Sequence, residues 1–306
     1  MITKTLQASL GKILTKPAAY NEPMSRHTTW KIGGPADILA EPANEEEVAA
    51  LLVLAGKENL PFFVLGNGSN LLVGDLGIRG LVIKIGEAMS SCTWDGYQVR
   101  AGAGILLPAL SRAAALRSAA GLEFACGIPG SLGGALGMNA GAYGKAIGNL
   151  VTKIGLIEYT GTRQEPDALQ LNFSYRHSSI SGQPAVICWA QLQLEAGNKE
   201  QSLKEMQELL RLRAKNQPLE FPSCGSVFRN PKDCHAGYLI EQAALRGLRR
   251  GGAMVSLKHG NFIVNLGGAT AQDVRALIAQ VKHRVHEYCG IELVTEVKEA
   301  GEFIPD

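Results

Sequence analysis

The spacing of apolar residues along the chain predicts four helices. The first begins at Asn44, which stands three residues before Glu47 in capping-box spacing, and its apolar residues recur every three to four positions as far as Ala55. Gly121 and Gly290 follow the second and fourth helices, where glycine can take the left-handed backbone that closes a helix. The predicted spans are 44–55, 107–120, 203–215 and 270–289.

Short apolar segments between these helices predict strands at 62–66, 80–86, 97–102, 153–159, 185–196 and 291–301. Strands and helices are mixed without a strict βαβ rhythm, so the pattern favours an α+β fold over a doubly wound sheet. The residue composition becomes polar at 197–202. A chain of 306 residues is long enough for two domains. We therefore place a domain boundary near residue 200.

Bulk composition excludes several classes of protein. The chain is 46% hydrophobic and 19% charged, and its formal net charge of +2 is too small for nucleic acid to be the main partner. No stretch approaches the roughly 18 apolar residues of a membrane span, and the N-terminal segment lacks the pattern of a signal peptide. We expect a cytoplasmic protein that binds neither nucleic acid nor a membrane.

The cysteines and histidines predict neither a disulfide framework nor a metal site. The six cysteines are scattered and form no CxxC pair, which is typical of reduced thiols. His283 and His286 are three residues apart on a predicted helix, but no HExxH pattern and no acidic companion accompany them. Solvated side chains are the simpler interpretation.

The segment 124–144, FACGIPGSLGGALGMNAGAYG, contains no charged side chain and seven glycines. Glycine loses more backbone entropy than other residues and packs nothing, so a core segment does not need so many. Backbone that closely approaches a ligand's phosphates does need them, because a side chain would hold the ligand away. We interpret the segment as a cofactor loop; the alternative is an apolar Gly/Ala-rich packing segment.

A second glycine-containing turn, Gly66 to Asn70, directly follows a predicted strand. Glycine and asparagine tolerate positive φ, and such a turn can present consecutive N–H groups to an anion. Taken alone, this segment is more commonly a tight turn between strands. Two neutral loops in one predicted domain suit a large dinucleotide, although neither matches the GxGxxG or GxxxxGK[ST] pattern.

Candidate catalytic residues lie further along the chain. Arg176 follows Tyr175, and its permanent charge can fork onto a carboxylate, although a surface ion pair is the commoner role. Ser226 lies in a turn-rich segment near Cys224, which is a rival nucleophile without any feature that indicates a lowered pKa. A local basic cluster could serve a diphosphate substrate or form a solvated face, and comprises Arg246, Arg249, Arg250, Lys258 and His259.

Taken in order, these segments closely resemble one family, the UDP-N-acetylenolpyruvoylglucosamine reductases. The resemblance runs from about His27 to Phe303. The matching segments are HTTWKIGGPAD (27–37), VLGNGSNLLV (64–73), the glycine-rich 124–144, YRHS (175–178), CGSVFRNP (224–231), AGYLIEQAALRG (236–247), HGNFIVN (259–265) and Glu296-Val297-Lys298. Each segment is moderately specific, and their order and spacing together are highly specific.

The resemblance implies an FAD-binding domain of the vanillyl-alcohol-oxidase-like type over 1–200, with subdomains of roughly 1–85 and 86–200. A smaller α+β substrate-binding domain over 201–306 would follow, with the final strand returning to the active site. About forty residues separate the YRHS and CGSVFRNP segments, which looks like the shorter subtype without an inserted substrate-capping loop. We expect a monomer.

The resemblance also implies a reaction. NADPH would reduce FAD, and flavin N5 would then give hydride to the vinyl carbon of UDP-N-acetylglucosamine enolpyruvate, which yields UDP-N-acetylmuramate. Arg176 would stabilise the negative charge that develops on the substrate carboxylate. Glu296 would hydrogen-bond that carboxylate or supply a proton to it, and Ser226 would protonate the α-carbon.

Further site residues follow from the matching positions. Asn230, Tyr175 and Lys258 would contact the substrate. The cofactor-binding residues would be Gly66, Asn67, Gly68, Ser69, Asn70, Leu71, Gly127, Ile128, Pro129, Gly130, Ser131, Gly133, Gly134, Asn139, Gly141 and Ala142. The chain departs from the family pattern at three positions, Ser174, Thr295 and Lys298, where glycine, proline and arginine are common. Lysine keeps the charge of arginine but loses its fork.

Two other functions are compatible with parts of this pattern. An FAD-dependent sugar or alcohol oxidase of the same flavin-binding superfamily would share the glycine-rich loops. A nucleotide-binding protein without flavin or catalysis would share them as well.

Overall fold

The computed structural model describes residues 2–305. Within that range the α-helices are α1 (Lys4–Ile13), α2 (Glu45–Lys57), α3 (Leu107–Leu116), α4 (Leu132–Met138), α5 (Lys199–Asn216), α6 (Ala236–Gln242) and α7 (Ala271–Cys289). Short 3-10 helices occupy Met24–Arg26, Glu87–Met89, Glu123–Gly127, Ile147–Asn149 and Ala168–Leu171. The content of helices and strands confirms the predicted α+β class.

The first nine strands are β1 (Ala19–Pro23), β2 (Pro35–Ala40), β3 (Phe62–Leu65), β4 (Leu71–Val73), β5 (Ile78–Lys84), β6 (Cys92–Asp95), β7 (Gln98–Gly102), β8 (Ala119–Ala120) and β9 (Gly141–Ala142). The later strands are β10 (Lys145–Ala146), β11 (Val151–Glu158), β12 (Arg163–Gln164), β13 (Ala185–Gln193), β14 (Glu195–Ala196), β15 (Arg249–Arg250), β16 (Ala253–Val255), β17 (Ile263–Asn265) and β18 (Lys298–Ala300).

The chain forms two compact units, each with its own hydrophobic core. Unit 1 comprises 1–20, 38–67 and 80–211, and unit 2 comprises 21–37, 68–79 and 212–306. Two early segments therefore belong to the same unit as the C-terminal part of the chain, whereas the sequence-based division at residue 200 assigned them to the first domain. The functional division into an FAD-binding and a substrate-binding domain stays a prediction.

Unit 1 is built around an antiparallel five-stranded sheet of order β12-β11-β13-β7-β6. Gly155 of β11 lies opposite Trp189 of β13, and a side chain at Gly155 would collide with the Trp189 ring. Arg100 of β7 stacks on the same ring, with 3.7 Å between its guanidinium carbon and the ring centroid. In a second sheet, β3 pairs in parallel with β5, from Phe62 opposite Leu81 onwards.

Helix α2 confirms the predicted start at Asn44. The side-chain oxygen of Asn44 accepts a hydrogen bond from the Glu47 N–H at 2.9 Å. The Glu47 carboxylate is buried and accepts hydrogen bonds from the Ala43 N–H and from both the N–H and the hydroxyl of Thr15. Glu47 therefore ties the segment after α1 to the start of α2.

In unit 2, α7 packs against the antiparallel sheet β15-β16-β17, and α6 packs against α7. Thr270 and Asp273 form the capping box at the start of α7, and Gly290 closes the helix with φ of 69°. The Asp75 carboxylate accepts the N–H groups of Ala271 at 2.8 Å and Gln272 at 2.9 Å, so it caps the same helix from a distant part of the chain. The predicted bounds of α7 are confirmed.

Trp30 lies fully buried in the core of unit 2. Its indole N–H donates a hydrogen bond to the Ile263 carbonyl at 2.9 Å. The side-chain amide of Asn265 donates to the Trp30 carbonyl at 3.0 Å, and Thr29 donates its hydroxyl to the Ser223 carbonyl at 2.7 Å. These bonds explain the HTTW motif as a structural part of unit 2.

Three sequence predictions about secondary structure were wrong in detail. Helix α3 ends at Leu116 rather than near residue 120, because Ser118 has a φ of 56° and the chain turns into β8. The glycine-rich segment is not a continuous loop, since α4 lies within it. The final strand spans only Lys298–Ala300 rather than 291–301, so Glu296 lies before it.

Candidate active site

Unit 1 contains a cavity of about 890 Å³ beside the glycine-rich segment. One wall is strand β3 with Gly66 at its end, and another is the start of α4 with Ser131, Gly133 and Gly134. This volume lies within the range of pockets that hold small-molecule ligands and cofactors. The two predicted glycine-containing segments therefore meet at one cavity through these residues.

The glycines allow the walls of this cavity to approach each other. A Cβ at Gly66 would collide with the Ser131 hydroxyl oxygen. A Cβ at Gly133 would lie 3.0 Å from the Ala103 Cβ, which is tighter than normal side-chain packing. The structure thus gives a steric reason for glycine at both positions, and the backbone stays accessible to a ligand.

The Ser131 hydroxyl is buried and has no hydrogen-bond partner within residues 2–305. A buried hydroxyl without a partner costs free energy, so such groups are usually completed by a ligand or water. Since Ser131 stands in the cavity wall between glycines, its O–H suits an acceptor such as a phosphate oxygen. The residues present therefore fit a bound dinucleotide.

The other predicted cofactor-binding residues in unit 1 have several positions. Asn67 donates its side-chain amide to the Pro129 carbonyl, which joins the two glycine-containing segments directly. Gly130 accepts the Leu107 N–H at 2.9 Å through its carbonyl, and Ile128 donates to Ala125 after Gly127 ends a 3-10 helix. Gly141 and Ala142 form β9, which pairs with β10. Their contribution to cofactor binding stays a prediction.

Four predicted cofactor residues, Gly68 to Leu71, belong to unit 2. Gly68 has φ of 61°, and a Cβ there would collide with the His27 carbonyl oxygen. The Asn70 side chain donates to the Glu296 carbonyl at 3.2 Å, and the Asn70 carbonyl accepts the Lys298 N–H at 3.1 Å. Asn70 therefore holds the backbone on both sides of Val297.

The turn that carries Arg176 is fastened to the second half of the glycine-rich segment. Asn139 donates its side-chain amide to the Ser174 carbonyl at 2.8 Å, and Ser178 donates its hydroxyl to the Gly137 carbonyl at 3.0 Å. The Arg176 guanidinium donates to the Gly141 carbonyl at 3.0 Å. Arg176 also has φ of 54°, so its backbone takes a conformation that non-glycine residues rarely adopt.

A second cavity, of about 340 Å³, lies in unit 2. Its wall includes Ser226, Asn230, Arg246, His259 and Asn261. The sequence predicts Ser226 and Asn230 as site residues and Arg246 and His259 as part of the basic cluster. Asn261 lies in the family-like segment HGNFIVN (259–265), but the sequence predicts no role for it, because a single asparagine beside an apolar strand does not by itself indicate a site.

Glu296 and the Ser226 segment are neighbours in the backbone of unit 2. The Glu296 N–H donates to the Val227 carbonyl at 2.8 Å, and Phe228 pairs with Thr295 in an antiparallel bridge. Burial, together with the negative charge of Glu296, raises the pKa of the Cys224 thiol well above its ordinary value. A thiolate at Cys224 is therefore strongly disfavoured, which removes it as the rival nucleophile.

The cations of the predicted basic cluster separate in the structure. Lys258 donates its ammonium to the Ala214 carbonyl at 2.6 Å and lies 3.9 Å from the Glu220 carboxylate. Arg249 and Arg250 are exposed and bond to Gly251 and Gln280. Only Arg246 and His259 of this cluster line the cavity, within the described part of the chain.

The His259 side chain is half-buried. Burial, and next the positive charge of Arg246, lower the pKa of His259 below its ordinary value of 6.5. Its Nδ1 accepts the Asn261 N–H at 3.2 Å, which suits a neutral ring. Tyr175 is exposed beside Arg176 in unit 1, with 5.0 Å between the Arg176 guanidinium carbon and the ring centroid.

Residues 2–305 contain neither a helix that could span a membrane nor a group of His, Cys, Asp and Glu that could hold a metal. None of the six cysteines forms a disulfide in the structure.

Comparison with known proteins identifies the family of the chain. A general FAD-binding-domain profile matches residues 36–165, and the profile of the UDP-N-acetylenolpyruvoylglucosamine reductase C-terminal domain matches 217–299. The reductase of that name from Heliobacterium modesticaldum is 50% identical over 282 residues, which is 92% of this chain and 90% of that protein. The one from Caldanaerobacter subterraneus is 42% identical and covers 98% of this chain and 100% of its own length.

A solved structure agrees with these relatives. The crystal structure of UDP-N-acetylenolpyruvylglucosamine reductase from Thermus caldophilus superimposes with a TM-score of 0.79 at 36% identity. The superposition covers 92% of this chain and 98% of that one.

Proposed function

Because the chain belongs to the UDP-N-acetylenolpyruvoylglucosamine reductase family, we propose that it reduces UDP-N-acetylglucosamine enolpyruvate to UDP-N-acetylmuramate. NADPH is the electron donor and FAD the cofactor, which makes the protein an oxidoreductase of peptidoglycan precursor synthesis. When bound, FAD supplies the carrier that passes a hydride from NADPH to the enolpyruvyl double bond. The structural observation that carries the proposal is the cavity of unit 1. Its wall contains the Ser131 hydroxyl, which has no hydrogen-bond partner among residues 2–305.

We assign FAD to unit 1 and the UDP-sugar to unit 2. In unit 1, Gly66, Gly133 and Gly134 leave backbone accessible at the cavity, and Ser131 offers a buried hydroxyl to a pyrophosphate oxygen. In unit 2, Arg246 and the half-buried His259 line the cavity that also contains Ser226 and Asn230. Arg246 is paired at 2.6 Å with the Glu241 carboxylate, which lines the same cavity, so the assignment of the UDP-sugar is supported by the predicted substrate residues Ser226 and Asn230 rather than by net charge.

Arg176 has the role of stabilising the substrate carboxylate. Hydride addition to the terminal vinyl carbon pushes electrons toward the α-carbon and the attached carboxylate, where negative charge develops. A guanidinium held in place before the reaction stabilises that charge without having to reorganise. The bond from Arg176 to the Gly141 carbonyl and the fastened turn around it support such preorganisation.

Ser226 has the role of proton donor. Its hydroxyl gives a proton to the α-carbon after the hydride reaches the terminal carbon, so one hydride and one proton together saturate the double bond. Glu296 acts on the substrate carboxylate, and Asn230 contacts the substrate. The backbone bond between Glu296 and Val227 supports a shared site for Glu296 and Ser226 within unit 2.

The decisive experiment follows the flavin absorbance through two half-reactions. Under anaerobic conditions NADPH should bleach the yellow protein, and the enolpyruvyl substrate should restore the colour rapidly. Ser226→Ala should bleach normally and recover its colour slower by orders of magnitude, whereas Ser223→Ala, three residues earlier, should behave like the wild type. An oxidase would instead recover its colour with oxygen at a turnover rate and ignore the enolpyruvyl substrate. A colourless folded protein would contradict any flavoenzyme.

Two further properties stay proposals. We propose a cytoplasmic enzyme, which the absence of disulfides among six cysteines supports, because reduced thiols are typical of that compartment. We also propose a monomer, for which light scattering should give a mass near 32.5 kDa.

A further inference from the structure

We propose that Asn261 is a positioning residue that fixes the orientation of Ser226, an inference that rests on the proposed role of Ser226 as proton donor. Asn261 is buried, with 3% of its surface exposed, and makes three hydrogen bonds to the two residues that follow Ser226. Its carbonyl accepts the Val227 N–H at 2.9 Å. Its side chain accepts the Phe228 N–H at 2.9 Å and donates to the Phe228 carbonyl at 2.8 Å.

The Asn261 backbone carbonyl acts on the peptide that begins at Ser226, and the Asn261 side chain holds the Phe228 backbone one residue further on, which keeps the two segments side by side. The Val227 N–H belongs to the same planar peptide unit as the Ser226 carbonyl, so holding this N–H restrains the ψ angle of Ser226. From the other side, the Val227 carbonyl accepts the Glu296 N–H at 2.8 Å. The backbone after Ser226 is therefore held between Asn261 and the segment that carries Glu296.

Before Ser226, core packing holds Cys224 and the Thr29 hydroxyl holds the Ser223 carbonyl, but Gly225 between Cys224 and Ser226 has no comparable restraint within residues 2–305. Gly225 has φ of 79°, and a Cβ placed on it would meet nothing within 4 Å among the described residues. Glycine is conformationally permissive, so Gly225 does not itself fix the backbone conformation at Ser226. The direction of the Ser226 side chain then depends mainly on the fixed peptide that follows it.

Asn261 acts through this loop rather than on the substrate. Its side-chain oxygen and nitrogen both bond to Phe228, and its own N–H donates to His259 Nδ1 at 3.2 Å. The structure offers a matched control in the same unit, Asn265, which is also buried and also clamps backbone. Asn265 accepts the Gly267 and Ala269 N–H groups and donates to the Trp30 carbonyl, away from the Ser226 loop.

The test compares Asn261→Leu with Asn265→Leu in the FAD-loaded full-length enzyme, under stopped flow. Both variants lose a buried clamp, so both should melt at a lower temperature. Asn261→Leu should slow reoxidation of the reduced flavin by the enolpyruvyl substrate about 100-fold, because a displacement near 1 Å costs about that much. Reduction by NADPH should change less than twofold. Asn265→Leu should leave the ratio of the two rates as in the wild type.

A milder variant keeps the test usable if Asn261→Leu folds poorly. Asn261→Ser retains a polar group in the same place and should give an intermediate slowing of the substrate step. Equal slowing of both half-reactions in Asn261→Ser, or the same rate ratio as in Asn265→Leu, would show a purely structural role and overturn the proposal.

A double variant tests whether Asn261 acts through Ser226. If it does, Ser226→Ala with Asn261→Ser should be no slower in the substrate step than Ser226→Ala alone. If the two effects multiply, Asn261 acts independently of Ser226 and the positioning role is wrong, while the proposed function stands. If Ser226→Ala alone is as fast as the wild type, the proton-donor assignment fails and the inference fails with it.

Discussion

The buried hydroxyl of Ser131 gives a prediction in which stability and cofactor affinity separate. Ser131→Ala removes an oxygen that bonds to no other group in residues 2–305, so the FAD-free protein should lose no stability. Ser111 is the matched control, since it is equally buried in unit 1 but donates its hydroxyl to the Leu122 carbonyl at 2.8 Å. Ser111→Ala should therefore cost about 0.5–1.5 kcal/mol of unfolding free energy.

For FAD affinity we expect the opposite order, with the larger loss in Ser131→Ala and the smaller in Ser111→Ala. A hydrogen bond to a charged group contributes about 1.5–3 kcal/mol, and each 1.4 kcal/mol is about tenfold in affinity. Ser131→Ala should consequently weaken FAD binding about 10- to 150-fold, while Ser111→Ala should leave it within about twofold. For a unit of this size, 1 kcal/mol shifts the melting temperature by about 2–4 °C, which is readily measured.

The assay has two parts. Thermal melts of the FAD-free proteins, followed by circular dichroism, report stability, and quenching of flavin fluorescence on titration reports affinity. FAD affinity of Ser131→Ala equal to that of the wild type, together with a melting temperature as low as that of Ser111→Ala, would refute the reasoning. In that case the Ser131 hydroxyl contributes to the fold and not to the cofactor site.

Three further predictions address other parts of the molecule. Glu296→Gln should be reduced by NADPH at the wild-type rate and reoxidised by substrate at least tenfold more slowly; an unchanged substrate step in stopped flow would remove Glu296 from the mechanism. The lowered pKa of His259 means that the folded protein binds its proton less readily than the unfolded chain, so its stability contribution is complete above about pH 6.5 and is lost as pH falls toward the folded pKa. His259→Gln should therefore flatten the fall in melting temperature just below pH 6.5, and an identical profile would contradict this. Asp75→Ala should lower the unfolding free energy by about 1–2 kcal/mol in urea titration, because it leaves two N–H groups of α7 without their cap, whereas Asp95→Ala, in an exposed strand, should not.

Local patterns predicted much of the fold because the deciding contacts lie close together in sequence. The starts of α2 at Asn44 and of α7 at Thr270 have capping side chains within four residues, and α7 ends at a glycine, although the distant Asp75 also caps α7. The predicted span of the last strand, 291–301, was too long. The apolar pattern continues through residues 291–297, but there the Glu296 N–H bonds to the Val227 carbonyl and Thr295 forms a bridge with Phe228. Pairing partners seventy residues away cannot be seen in a local pattern.

The candidate site was predictable where a residue type is costly elsewhere. The glycines at 66, 133 and 134 stood out because few core segments tolerate them, and they do line one cavity. The apolar residues of the cavity wall, such as Ile85 and Ala103, cannot be told from ordinary core residues in the sequence, so they could not be predicted as part of a site. Asn261 lies in one of the family-like segments, but its role was not predictable, because it depends on bonds to Phe228, thirty-three positions earlier in the chain.

The discontinuous make-up of unit 2 has a consequence during synthesis on the ribosome. Trp30 can be covered only after Ile263 has emerged, 233 residues later. At translation rates of about 5–20 residues per second, this aromatic side chain waits roughly 10–50 s for its packing partners. Unit 1 has all of its residues once Arg211 is made, whereas unit 2 still lacks residues 212–306, which are most of its length. The nascent chain therefore passes through a stage in which one core can be complete and the other cannot. A chaperone that recognises exposed aromatic segments would find its binding site near residue 30 during this interval.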